Sequence, residues 1–573
     1  MVGWRQRAQG SHAGGGSPAR SRTPAPLSST PLPPLLRRWL FEYAWGDKSA
    51  VSVSADAGAY VEGTERRRVD PRILRLAQTR SHGQRSRQVI DSILPMDGVL
   101  QTLRVPDSAV EHVLLPRTSF DWLQDNHPRR FEVHFGAKEG GVSDWWASLA
   151  SSTQGQELWQ MHPWLRGRTP EDLQYHVPVC VFDDAGPVSN SQSAYVRQWF
   201  SILGQGSDRE THLLLATGLA GTELEDKSWG PILESFAGLA GPQLQGRFGA
   251  ILLFFCGDLD YVCNVMGLPH FNSELSPCSL CLANHSSRQH NDWSSTAAWR
   301  GTILNNRSFL VRLRRPLHPL VAHDLFNIHT FRHDLLHMSD HHGVISHVVA
   351  NVLWAHIGGD REAAVIPGSN MEQRLAFLNE DVRAFYNANH VHNRLPPFRE
   401  ENIKDGPWPE LKGRNVKAAN TRAFVPYVVA LQERATTMAD TPKNRHMLRV
   451  VRAVAGIVSV VYDGGCFLKP SELAVLSGHT ARLARHYQKL STDAFTAGRT
   501  LWKQTMKFHF MVAHLLGQAS LINPTWVQGY SGESMVGTTA QIYSMCQNGP
   551  FHAHVQEVVM TKYRLGLRLL MEG

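Results

Sequence analysis

Two apolar runs in the first half of the chain end in acids. Val177 to Phe182 leads into Asp183-Asp184-Ala185-Gly186-Pro187, and Phe248 to Cys256 leads into Gly257-Asp258-Leu259-Asp260. An acid just past a buried strand has a rigid backbone behind it and a carboxylate free to enter the cleft beyond the sheet. Two such acids on neighbouring strands can hold two Mg²⁺ or Mn²⁺ ions roughly 4 Å apart, the arrangement that serves in-line attack on a phosphodiester. Taken singly, an acid there is more often a turn former or a helix cap. Asp184 and Asp258 are the catalytic candidates on this ground. A two-metal site needs a third acid, and both Glu533, in Tyr530-Ser531-Gly532-Glu533-Ser534, and Glu362 are offered.

A second kind of metal chemistry begins at Pro277-Cys278-Ser279-Leu280-Cys281. Cys-x2-Cys places two thiolates on one side of a metal and commonly supplies half of a tetrahedral zinc site. The other half must come from elsewhere. His509 with His514, and His337 with His342, share one spacing, and with 29 histidines in the chain that spacing also arises by chance. Neither a Gly-rich nucleotide loop nor a Gly-x-Ser-x-Gly elbow is present to suggest another chemistry.

The elements that must position these residues follow from apolar patterning. Val177 to Phe182, His212 to Ala216 and Phe248 to Cys256 are short, β-branched or aliphatic runs that predict strands, with a helix over Trp229 to Leu239 between the second and third. That alternation implies a mixed α/β sheet. After about residue 285, helical periodicity dominates in His333 to Trp354, Met371 to Tyr386, Val416 to Glu433 and Arg445 to Tyr462, which predicts an all-α lobe inserted into or appended to the sheet. Residues 1–90, rich in Pro, Gly, Ser and Arg, predict a disordered basic region. Its cluster Arg66, Arg67, Arg68, Arg72, Arg75, Arg80, Arg85 and Arg87 suits a solvated linker or a phosphate-binding arm. The acid-poor start also has the composition of an organelle transit peptide.

With 573 residues, 42% of them hydrophobic, the chain can bury two or three lobes. A net charge of +8, from 58 basic and 50 acidic residues, permits a nucleic-acid partner without requiring one. Seven scattered cysteines argue against a secreted disulfide framework and for a reducing compartment. The longest apolar runs fall short of a membrane span, so a soluble chain is expected.

The ordered set Asp184-Ala185-Gly186-Pro187, Gly257-Asp258-Leu259, Cys278-x2-Cys281, Asp334-x2-His337, Lys507-x-His509-x4-His514-Leu515 and Ser531-Gly532-Glu533 resembles the CACTA (Tnp2-like) transposases over roughly residues 110–565. The resemblance implies a DDE-type, RNase H-like α/β catalytic core interrupted by a long, mainly helical insertion. The core would comprise residues 110–285 and 506–573, and the insertion residues 286–505. The same order, Cys-x2-Cys after the second acid and His-x4-His before the third, occurs in the related V(D)J recombinase catalytic subunit. It favours Cys278, Cys281, His509 and His514 as ligands of a structural zinc, and Glu533 over Glu362 as the third ligand of catalytic Mg²⁺ or Mn²⁺.

The activity so implied is DNA cleavage and strand transfer at transposon ends and target, in the nucleus, by a protein that acts as a homo-oligomer. Related sequences often carry Glu where this chain has Asn420, and residues 1–109 show no end-recognition motif. Those departures keep a catalytically decayed or domesticated DNA-binding protein as the alternative. A zinc-stabilised α/β hydrolytic enzyme unrelated to DNA is a third reading.

Overall fold

Twelve residues, His176–Pro187, form the central strand β1 of a five-stranded mixed sheet, and its first nine are all buried. Its neighbours are β2 (Ser193–Ser201), β3 (His212–Leu219), β4 (Gly249–Gly257) and β5 (Phe331–His333), in the spatial order β3-β2-β1-β4-β5. The β1/β2 and β2/β3 pairs are antiparallel, whereas β1/β4 and β4/β5 are parallel. Strands buried on both faces read as continuous apolar runs, which is why β1 and β4 stood out in the sequence. In this computed structural model the described residues are 31–79, 83–93, 100–138, 140–189, 192–206, 208–222, 226–243, 246–358, 365–413, 415–546 and 552–572.

Helix α1 (Trp229–Ala240) packs on β4, and α2 (Leu259–Asn264) starts where β4 ends, with Asp258 as its N-cap. The helical lobe follows β5. Its long members are α3 (Val344–Ile357), α4 (Met371–Ala388), α5 (Val425–Met438), α6 (Pro442–Asp463) and α7 (Pro470–Thr496). The chain then returns to the sheet, where α8 (Tyr530–Cys546) lies against β1 and β2 and α9 (His552–Met571) against β3. No helix among the described residues is long and apolar enough to cross a membrane.

Three sequence expectations change. The fifth strand, Phe331–His333, lies inside the stretch 286–505 expected to be helical, so the helical lobe begins after the sheet is complete, and His333 is a strand residue rather than a helix start. Strand β2 was not anticipated because its run, Ser193-Ala-Tyr-Val-Arg-Gln-Trp-Phe-Ser201, mixes a charge and an amide into a buried strand. In the region 1–90 expected to be disordered, residues 34–93 contain helices Pro34–Ala44, Ala50–Glu62, Pro71–Ala77 and Gly83–Ile93.

The apolar residues Val53, Ala57, Ile73, Leu76 and Ile90 are buried among those N-terminal helices and supply the core that a count of arginines conceals. Arg72, read as part of a basic patch, is itself buried in an ion pair with Asp70 at 2.8 Å. The described residues of Met1–Leu40 and Lys48–Pro95 form one unit, and those of Phe41–Asp47 and Met96–Gly573 form the other. Residues 1–30 and Arg80 lie outside the described residues.

Candidate metal centres at the sheet edge and in the helical lobe

The parallel register aligns Asp183 with Gly257 and Gly257 with His333. The next residue on each strand is an acid: Asp184, within β1 just past its parallel pairing with β4, Asp258 after β4 and Asp334 after β5. Parallel strands lie about 4.8 Å apart, so three carboxylates stand side by side at the carboxyl ends of adjacent strands, where α/β sheets bind ligands.

Alternation along β1 sends the neighbouring acids to opposite faces. Asp183 accepts from Arg197 Nε at 3.0 Å and the Tyr261 hydroxyl at 2.6 Å. Arg197, fully buried, also pairs with Asp226 at 2.9 Å and lies 3.8 Å over the Trp229 ring. Burial pushes the Asp183 carboxyl up to about 6, tempered by Arg197 and Tyr261. This triad braces the sheet behind the cleft.

Asp184 faces α8. Helix and strand touch closely because glycines line the contact: a Cβ at Gly529 or Gly532 would fall 2.6 Å from the Phe182 ring, and one at Gly186 would fall 2.9 Å from Val536. The Gly532 carbonyl also accepts from Gln198 of β2 at 3.0 Å. Glu533 is thereby carried to the sheet edge, where ligand atoms of Asp184, Glu533 and His337 lie within 4.8 Å of one another. With Asp258, these residues line a cleft of about 700 Å³. Asp258 stands outside the tight group because its carboxylate caps α2, accepting from the Tyr261 amide at 2.5 Å.

Burial, followed by the charges of Asp258 and Glu533, raises the Asp184 carboxyl well above its usual range. Asp258 and Glu533 are raised too, chiefly by burial, with His337 opposing the shift in both. Oε1 of Glu533 is buried without a hydrogen-bond partner. Converging carboxylates that resist ionisation together, one with an orphan oxygen, fit a divalent cation, whose charge would relieve the repulsion.

His337 is the participant that sequence reasoning did not place here. Its Nδ1 meets Asp334 Oδ2 at 2.6 Å and its Nε2 lies 3.5 Å from Glu533 Oε1. Asp334 is buried and its other oxygen accepts from the Gly529 amide at 2.8 Å, tying β5 to the start of α8. Burial opposes a charge on His337, but the Asp334 hydrogen bond and the surrounding carboxylates outweigh it and raise its pKa. The Asp334-x2-His337 spacing was the available signal. It works through a π-helical turn, Leu336–Asp340, that turns the imidazole back onto the aspartate.

The second group is Cys278, Cys281, His509 and His514, all buried, with ligand atoms within 4.8 Å of one another. Cys278 Sγ lies 3.2 Å from His514 Nε2, and Cys281 Sγ lies 3.3 Å from His509 Nε2. Residues five apart do not share a face of an α-helix. The segment Phe510–His514 is instead a π-helical turn, in which they do.

His509 Nδ1 is held by the His290 carbonyl at 2.9 Å, which leaves Nε2 as the metal-facing nitrogen. The hydrogen bond from Cys278, with His509 and His514 adding, pulls the Cys281 thiol down to about 2, whereas burial raises Cys278. Four soft or borderline ligands in tetrahedral number can hold a metal such as zinc.

The competing residues lie elsewhere. His342 pairs with Glu410 at 3.0 Å and, like His337, is absent from the cysteine group. Asn420 donates to the Arg394 carbonyl at 2.9 Å and is not among the residues lining the carboxylate cleft. Glu362 lies outside the described residues. No protein-family model matches the chain, and no curated protein matches it.

Proposed function

We propose that this chain is a DDE-type DNA-cleaving and strand-transferring protein of the CACTA transposase kind, its five-stranded sheet serving as an RNase H-like core. The observation that carries the reading is the meeting of Asp184 and Glu533, distant in sequence, beside Asp258, where the parallel pairing of β1 and β4 ends. Asp184, Asp258 and Glu533 would hold Mg²⁺ or Mn²⁺, which when bound lowers the barrier to in-line attack on a phosphodiester by neutralising charge on the attacking and departing oxygens.

The side chains supply the rest. Asp334 fixes the His337 ring so that Nε2 faces the cleft, where a protonated imidazole can donate to a departing 3′-oxygen or neutralise a phosphate. The buried Arg197 triad holds β1 and β2 rigid beneath Asp184. Cys278, Cys281, His509 and His514 are assigned to zinc with a structural role, since all four positions are filled by protein. The reading carries with it DNA ends and target as substrates, paired copies of the chain and a nuclear location.

Incubating the purified protein with DNA bearing the flanking terminal repeats and Mn²⁺ tests the proposal. Cleavage by the wild type that falls to background in Asp184→Asn and Glu533→Gln is the expected result. Equal cleavage by all three removes these residues from the chemistry. Metal-independent DNA binding without cleavage by the wild type would favour the domesticated, binding-only alternative.

A further inference from the structure

The carboxylate cleft has a neighbouring hollow beyond Asp258. The residues immediately after two of its lining residues, Leu259 after Asp258 and His342 after His341, line a second hollow of about 530 Å³ together with His347, Glu410, Lys503 and Lys507. Lys503 and Gln504 are shared with a third hollow of about 490 Å³, which continues past Asn291, Trp408, Gln488 and Phe495. The second and third hollows are thus joined, and the second adjoins the cleft through consecutive residues of the chain.

The lining has a definite chemistry. The Lys507 ammonium donates to the His342 carbonyl at 2.9 Å and lies close enough to Asp258 and Asp334 to feel their charges, so one cation stands at the junction with the cleft. Lys503 is exposed where the second and third hollows join. Phe495, near the end of α7, is 85% exposed, an aromatic ring that contributes nothing to the core. Trp408 is half-buried beside it in the same hollow. Asn291, Gln488 and Gln504 offer amides that both donate and accept. The rings of His290 and His347 add to the wall of the second hollow.

Cations spaced along a groove, flat aromatic rings and adaptable amides are the combination that takes single-stranded nucleic acid: phosphates meet the cations and bases lie on the rings. We propose that these hollows form one track for a single strand of DNA leading away from the phosphodiester held at Asp184, Asp258 and Glu533. The inference rests on the proposed function and adds the path and the strandedness of the substrate. The phosphates of the strand would meet Lys507 and Lys503, and its bases would reach Trp408 and Phe495.

The test is fluorescence anisotropy of the full chain with a labelled single-stranded oligonucleotide and with the corresponding duplex, across a salt series. Phe495→Ala and Lys503→Glu are both exposed and outside either metal centre, and their melting temperatures should match the wild type. Phe495→Ala is expected to weaken single-strand binding by roughly tenfold, the effect of one lost base stack. Lys503→Glu should lower the dependence of log K on log[salt] by about 0.7, one phosphate contact on a single strand.

If the wild type binds DNA and cleaves it, yet both variants bind the single strand as tightly, the track is wrong while the carboxylate reading stands. If both variants weaken duplex binding alone, the strandedness is wrong and the track proposal falls in this form. If the wild type binds neither DNA at any salt, the track and the proposed function fall together.

Discussion

Asp184 sits buried against Glu533 with Asp258 beside it, and its carboxyl is held well above the usual range by that burial and by their charges. A raised carboxyl pKa means that the folded chain keeps a proton the unfolded chain would release. Its contribution is favourable below the ordinary carboxylate pKa and is lost as pH rises toward the folded value. At neutral pH without metal, Asp184 therefore destabilises the fold. Asp184→Asn should raise the melting temperature in EDTA by about 1–3 °C, whereas Mn²⁺ should raise that of the wild type and leave the variant almost unchanged. A variant that melts lower in EDTA, or gains as much from Mn²⁺, would contradict the electrostatic account. The acids at the ends of β1 and β4 were legible because a charge after an apolar run is conspicuous. The roles of Asp334 and His337 were not, since the strand that delivers them is three residues long and merges with a helical pattern.

Elements explain how Glu533 is aimed. Asp340, the last residue of the π-helical turn carrying His337, is fully buried and accepts from the Tyr530 hydroxyl at 2.6 Å, the Tyr462 hydroxyl at 3.1 Å and Arg422 at 3.0 Å. The Arg422 guanidinium lies 3.7 Å over the Tyr462 ring and 4.6 Å over the Tyr530 ring. Three distant segments of the chain thus converge on one carboxylate, and one of them contributes the first residue of α8, a turn before Glu533. Tyr530→Phe removes a hydrogen bond to the buried Asp340 carboxyl, and Tyr462→Phe removes one to the same carboxyl together with a longer one to Gln528 at 3.3 Å; each should destabilise the fold by about 1.5–3 kcal/mol. Only Tyr530→Phe should also weaken Mn²⁺ binding several-fold, read by calorimetric titration, because only Tyr530 is on the helix bearing Glu533. Equal losses of Mn²⁺ affinity would make the cluster a general brace with no part in aiming the acid. No sequence pattern announces such a cluster. Asn420-Thr421-Arg422 drew notice for the residue two positions before the one that contacts Asp340, and the His-x4-His spacing could not show that a π-helical turn makes it a single face.

At the scale of the whole molecule, the chain leaves its sheet after β5, builds a helical lobe and returns through His509 and His514 to meet Cys278 and Cys281 of the β4–β5 connection, so that one group able to hold a metal joins the return to the sheet region. The sequence revealed both ends of this staple but could not close it from the residues alone, because pairing across residues 282–508 is a property of topology. The fold also buries histidines far from either metal centre. His134, His212 and His318 are pushed down to about 3 and His162 to about 4, in each case first by burial. These rings stay neutral in the folded chain, while the unfolded chain takes up a proton on each near pH 6.5. The unfolded state therefore binds more protons between about pH 6.5 and 4, and stability, complete above the ordinary histidine pKa, falls as pH falls through that window. Asp183, raised to about 6, acts in the opposite direction, as do the raised carboxyls of Asp184, Asp258, Glu533 and Asp340, while His290, His333, His341, His347 and His486, pushed down to about 3 or 4, add to the four rings. Each histidine contributes a slope of up to about 1.4 kcal/mol per pH unit, so four can consume a typical stability of about 5–15 kcal/mol within a few units. Urea denaturation followed by circular dichroism at pH 7.5, 6.5, 5.5 and 4.5 should show an almost constant midpoint down to pH 6.5 and a steep fall below it. The double variant His134→Gln, His212→Gln should flatten that fall relative to its own value at pH 7.5. A midpoint that stays level to pH 4.5 would mean that these rings gain protons in the folded protein without cost, against the burial the fold gives them.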